Sequence, residues 1–154
     1  MAYILAAALI GIVAGMRAMT APAAVSWAGH LGWIDLSQSW LAFIGYAWTP
    51  YVLTLLALVE FVTDQLPSTP SRKVPPQFGA RLAMGALCGA AIGVAGGSLV
   101  IGLIAGIVGA VAGTLGGAAA RAKLAGVFGR DLPAALIEDA AAIALACLAV
   151  STLR

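Results

Sequence analysis

Arg17, Thr20, Glu60, Asp64, Glu138 and Asp139 interrupt sequence that is otherwise fit to lie in lipid. A charge at membrane depth costs roughly 2.5–3.5 kcal/mol on insertion scales, so it persists where it has a partner or a guest. Two chemistries suit one arginine among several carboxylates. The first is structural, an ion pair that sets helix register and is tolerable when hydrogen bonds complete it. The second is functional, a wetted cavity in which the acids hold an ion, a proton or a small solute. Glu60 and Asp64 are four residues apart and share one helix face. In GMRAMTAP, Pro22 frees a carbonyl one turn back, near Ala18. A helix broken there can offer backbone atoms to a substrate, and an ordinary kink is the plainer alternative.

A second set lies in the loop LPSTPSRKVPPQ. Ser68, Thr69, Ser71, Arg72 and Lys73 bring hydroxyl donors and base together, which suits a phosphate or a lipid headgroup. A stiff turn whose base only sets topology explains the same residues. Pro67, Pro70, Pro75 and Pro76 exclude a helix through the whole loop. Enzyme chemistry has little support. His30 stands alone, no His/Cys cluster has metal-ligand spacing, and no nucleophile–base motif or phosphate-binding glycine loop is present. No enzymatic activity and no cofactor are expected. Cys88 and Cys147 lie in apolar segments and read as small buried side chains.

The elements that must position these groups follow from composition. With 62% hydrophobic and 9% charged residues, the chain cannot cover a water-facing surface. It reads as an all-α, polytopic membrane helix bundle forming a single domain over residues 1–154. No cleavable leader is expected, because the N-terminus lacks a basic region. Apolar runs of about 20 residues mark spans. Five are expected: about 2–28, 48–66, 79–95, 98–123 and 132–153. Gly96-Gly97 is the tight turn between the third and fourth, and Pro133 suits the first turn of the fifth.

Arg72, Lys73 and Arg81 follow the second segment, while Arg121, Lys123 and Arg130 follow the fourth. With five spans both clusters share a side, and the positive-inside rule then places them and the N-terminus in the cytoplasm. Four spans would split the clusters. Trp27, Trp33, Trp40, Trp48, Tyr46 and Tyr51 sit in or beside the first loop, which suits the outer lipid–water boundary. A short in-plane helix over about 37–46, capped by Asp35 or Ser37, fits that position. A net charge of +2 gives no reason to expect nucleic acid. The lipid bilayer is the expected partner.

Gly85, Gly89, Gly93 and Gly97 recur every four residues, and Gly102, Gly106, Gly109 and Gly113 continue the pattern. Such stripes let backbones approach closely, within the chain or in a homodimer. GIVAG at 11–15 resembles GAVAG at 109–113, and ALVE at 57–60 resembles ALIE at 135–138. A duplication with one intervening glycine-rich helix would make an inverted two-helix repeat, a plan found in transporters. At 1.5 Å per residue, Glu60 and Glu138 each lie about 9 Å from the ends of their segments nearest the basic loops. Arg17 lies about 21 Å along its own segment and leans back toward that level. The two glutamates are therefore expected to face each other with Arg17 as counter-charge, while Asp64 pairs with Arg72 or Lys73.

The motifs GMRAMTAPAAVSWAGHLGW, ALVEFVTDQLPSTPSRKVPPQFGARLAMGAL and RDLPAALIEDAAAI resemble a family of small bacterial integral membrane proteins catalogued as a domain of unknown function. The resemblance implies a bacterial multi-span protein of the inner membrane and carries no activity or substrate. The expected function is that of a small transporter or channel with an intramembrane Arg/Glu site. A non-transporting scaffold packed through glycine stripes, or a headgroup-binding protein, is the alternative.

Overall fold

A computed structural model describes residues 1–66 and 71–154. Among these the chain is all-helical: α1 (Ala2–Met16), α2 (Thr20–His30), α3 (Thr49–Thr63), α4 (Pro75–Ala95), α5 (Leu99–Phe128) and α6 (Asp131–Ser151). α4, α5 and α6 are long and apolar enough to cross a membrane, and α1 and α3 are shorter apolar helices. The protein is a helical membrane bundle.

The glycines set its core. α1, α4 and α5 meet backbone to backbone. A methyl group placed on Gly11 would lie 2.9 Å from Gly106 Cα, and one on Gly89 would lie 2.8 Å from the same atom. One on Gly93 would lie 2.8 Å from Gly102 Cα. The stripe is thus consumed by packing within the chain. Rising residue numbers pair with rising ones between α1 and α5, so these helices run parallel. Between α4 and α5 the order reverses. Gly97, at φ 84°, makes the left-handed turn joining α4 to α5, and Gly129, at φ 65°, does the same before α6.

The first expected segment is two helices that fold back on each other. Gly96 packs against Tyr3, so α1 starts at the α4–α5 turn. α1 then descends to Arg17, which sits beside Asp139 of α6. From there α2 returns along α6, and Trp33, just beyond α2, lies 5.1 Å under the Arg154 guanidinium at the end of α6. α3 then runs antiparallel to α2. Trp27 Nε1 donates to Thr54 Oγ1 at 3.0 Å near one end, and Glu60 reaches the start of α2 at the other. The helices therefore alternate in direction through six legs, not five.

Two expectations change as a result. Met1 and Arg154 share the face opposite the basic loops, so the N-terminus does not lie with Arg72 and Arg130. The inverted repeat is not formed either, since α1 is parallel to α5 while α3 is antiparallel to α6. Boundaries also move. Pro75 and Pro76 open α4, where missing N–H groups are harmless, so the helix starts at 75 and not 79. α5 runs on to Phe128 because nothing breaks it before Gly129. The stretch 37–46 holds only a 3-10 turn, Ala42–Gly45. Asp35 accepts from the Ser37 N–H at 2.9 Å and caps a turn instead of a helix; the Ser37 side chain and N–H hold its carboxyl below the usual range. Cys88 is buried as expected, but Cys147 is exposed.

Reporters fused ahead of Met1 and after Arg154 should read the same side of the membrane, where five legs would separate them. Gly106→Ala should cost about 1–3 kcal/mol in detergent unfolding, because the new methyl meets the α4 backbone at Gly85 and Gly89. Gly116→Ala, with nothing within 4 Å, should be neutral or stabilising by up to about 1 kcal/mol. Equal effects at the two positions would remove the packing argument.

Candidate functional site

The site is built around the break between α1 and α2. Arg17 leaves the helix with extended backbone, φ −141° and ψ 112°. Leaving a helix frees carbonyls at its end and N–H groups at the next beginning, and apolar surroundings cannot satisfy them. Side chains from three other helices do so. Arg81 of α4 donates from Nη1 to the Met16 carbonyl at 2.7 Å and the Gly15 carbonyl at 3.2 Å. Thr114 of α5 shares its hydroxyl proton between the same Gly15 carbonyl at 3.2 Å and the Ala110 carbonyl of its own helix at 2.8 Å. On the α2 side, Glu60 accepts from the Ala18 N–H at 2.7 Å and the Met19 N–H at 2.9 Å. A carboxylate thus sits at the positive end of α2, and a guanidinium at the negative end of α1.

Arg17 itself is fully buried. Its Nε donates to Asp139 Oδ1 at 2.6 Å, Nη2 pairs with the same aspartate, and Nη1 pairs with Asp64. Phe61 lies 5.8 Å below the guanidinium, within cation–π range. Gln65 Nε2 reaches Asp139 Oδ2 at 3.4 Å.

A second layer lies nearer the basic face. Glu138 receives a two-pronged bond from Arg72, with Nη2 to Oε2 at 2.7 Å, and a longer 3.5 Å contact from Arg121. Arg121 also donates from Nε to Asp131 Oδ1 at 2.9 Å. Five of the chain's six carboxylates and four of its six arginines therefore gather in one region. Above this layer lies a cavity of about 490 Å³, lined by Asp64, Gln65, Arg72, Arg81, Arg121 and Asp131, with exposed Leu66 and Ser71 at its rim.

The expected residues do converge, but with different partners. Arg17 is held by the two aspartates, not the two glutamates. Because its backbone is extended, its side chain does not lean back along α1. Glu138 is claimed by Arg72 and Arg121, Glu60 by backbone. Asp64 pairs with Arg17, with Arg81 at 3.5 Å, and not with Arg72 or Lys73. The break presents N–H groups to an acid at Ala18, where a freed carbonyl was expected. Thr20 is buried at the start of α2, and its hydroxyl has no hydrogen-bond partner among the described residues. In the headgroup set, Ser68 and Thr69 fall outside the described residues. Ser71 and Lys73 are exposed, and Arg72 turns inward to Glu138.

Arg81, Arg121, Thr114, Gln65 and Asp131 were not expected in the site. Arg81 and Arg121 had been counted as loop charges. The signal for Arg81 was available, since a Pro-Pro helix start puts position 81 in the second turn of α4. For Arg121, the absence of a breaker between the glycine stripe and Gly129 was the equivalent sign.

Arg17→Gln should destabilise the protein by about 3–5 kcal/mol, because Asp139 stays buried without its partner and half-buried Asp64 keeps only the 3.5 Å contact with Arg81. Arg17→Lys should recover only part of that, since an ammonium cannot fork between two carboxylates. Asp131→Asn breaks a pair whose acid is 60% exposed and should cost no more than about 1 kcal/mol. Urea titration in detergent micelles measures all three. A loss at Arg17 no larger than that at Asp131 would contradict the layered arrangement.

No curated protein and no solved structure matches the chain. A family model described as a domain of unknown function (DUF4126) matches residues 4–152, and the chain belongs to that family.

Proposed function

We propose that this is a small, non-enzymatic transport protein of the bacterial inner membrane, with a solute site in the cavity above the broken α1–α2 turn. One observation carries the reading. A polar recess of about 490 Å³ opens beside the basic loops and ends on charges and helix ends buried in an apolar bundle. Small-solute sites have volumes of roughly 300–1,000 Å³, and transporter sites favour broken helices whose ends face the solute. The positive-inside rule makes the face with Arg72, Lys73, Lys123 and Arg130 cytoplasmic. On this reading Met1 and Arg154 lie on the far side.

A scaffold role is the second reading. The near-complete pairing of the acids and arginines favours it, because a network that only fixes register has no need of a guest. The glycine stripe gives it no support, being used inside the chain, and any homodimer must use another face.

Reconstituted protein separates the two. Ser71→Cys in a Cys147→Ala background places one accessible thiol at the rim of the recess. Wild-type liposomes should pass a charged solute faster than protein-free ones. Fluorescein maleimide on Cys at position 71 should bring that flux down to the protein-free level. Unchanged flux after labelling would exclude the recess as the route, and absence of wild-type flux for every ion tried would favour the scaffold.

A further inference from the structure

We infer that the recess is an oxyanion site, taking a phosphate, sulfate or carboxylate group on Arg81 and Arg121. The inference rests on reading the recess as the place where a solute binds, and it names the class.

The charges are sorted by depth. Arg72, Arg81 and Arg121 line the recess, against Asp64 and Asp131. Glu60, Glu138 and Asp139 lie outside its lining. Both lining carboxylates are already occupied, Asp64 by Arg17 and Asp131 by Arg121. Of the three lining arginines, Arg72 is paired with Glu138, and Arg121 with Asp131 and Glu138.

Arg81 is the arginine with capacity left. It is 2% exposed, and both of its Nη1 bonds go to backbone carbonyls. Its Nη2 has only the 3.5 Å contact with Asp64, and its Nε has no hydrogen-bond partner among the described residues. Nε–H and the adjacent Nη2–H form the edge of a guanidinium that grips two oxygens of a carboxylate or phosphate at once. Arg81 lines the recess, and its Nε–H is enclosed there without a partner among the described residues. A buried donor left unmatched costs free energy, which an oxyanion ligand would recover. Arg121 lines the same cavity while bonded to Asp131 and Glu138, so an oxyanion there would have to share it with them, and Ser71 adds a hydroxyl at the rim.

A free anion and a lipid phosphate share this chemistry, so the test has two arms. Delipidated protein in neutral detergent is dialysed against radiolabelled inorganic phosphate. In parallel, native mass spectrometry counts phosphatidic acid against phosphatidylcholine retained from mixed micelles. Saturable binding in the first arm identifies a free oxyanion, and selective retention in the second identifies a headgroup. Either should weaken about tenfold or more in Arg121→Gln, the loss of charge-assisted hydrogen bonds. Arg81→Lys keeps the charge but removes the fork and should weaken binding comparably. If that variant does not fold, Arg121→Gln and Ser71→Ala decide the matter alone. Wild-type protein that binds neither phosphate nor phosphatidic acid selectively, or binds them unchanged in Arg121→Gln, overturns the inference. Oxyanion binding without flux would sink the transport reading and leave this one standing. Sodium or proton flux without oxyanion binding would do the reverse.

Discussion

Three residues, Arg17 to Met19, leave the helix in the middle of an apolar bundle, and the surrounding structure satisfies what that releases. No water-like environment exists there to absorb bare carbonyls and N–H groups. Arg81 and Thr114 take the carbonyls of α1, and Glu60 takes the N–H groups of α2. Each of these side chains brings its own cost. Arg81 and Arg17 are cations that need acids, and Asp64 and Asp139 supply them. The ionic cluster follows from a backbone discontinuity, and the carboxylates follow from the cluster.

Close approach of the helices makes this geometry reachable. The Gly15 carbonyl can accept from α4 and α5 together because glycines hold α1, α4 and α5 in backbone contact. Unequal helix lengths then create the recess. α1, α2 and α3 have 15, 11 and 15 residues and stop near the cluster, while α4, α5 and α6 have 21, 30 and 21 and extend past it. The longer helices form walls, and polar side chains occupy the space between.

Much of this was legible in the sequence. The apolar runs gave the helical membrane class, and the glycine spacing announced close packing. Gly96-Gly97 marked its turn, and the rise per residue brought Arg17, Glu60 and Glu138 to a common level. The reversal at Arg17 was not legible, because the run from Ala2 to Ala28 has the length of one span and its interruption by Arg17, Thr20 and Pro22 reads equally as a kink. The cap that completes the reversal comes from Glu60, 41 or 42 residues away. That single miscount set the N-terminus beside the basic loops and made the motif matches read as an inverted repeat. Partner choice was equally hidden. Helical periodicity shows which acids share a level, whereas the direction of Arg17 depends on a backbone angle that only the break produces.

α3 shows how the membrane itself must respond. Val52, Leu55, Leu58, Val59 and Val62 all point outward, so lipid tails rather than protein cover this helix. Its 15 residues measure about 22 Å, against a hydrocarbon core of about 30 Å. Thinning of the bilayer, snorkelling of flanking residues or association can each meet such a deficit, at a fraction of a kcal/mol per ångström. Residence in a thinner membrane should therefore cost this protein less than residence in a thick one.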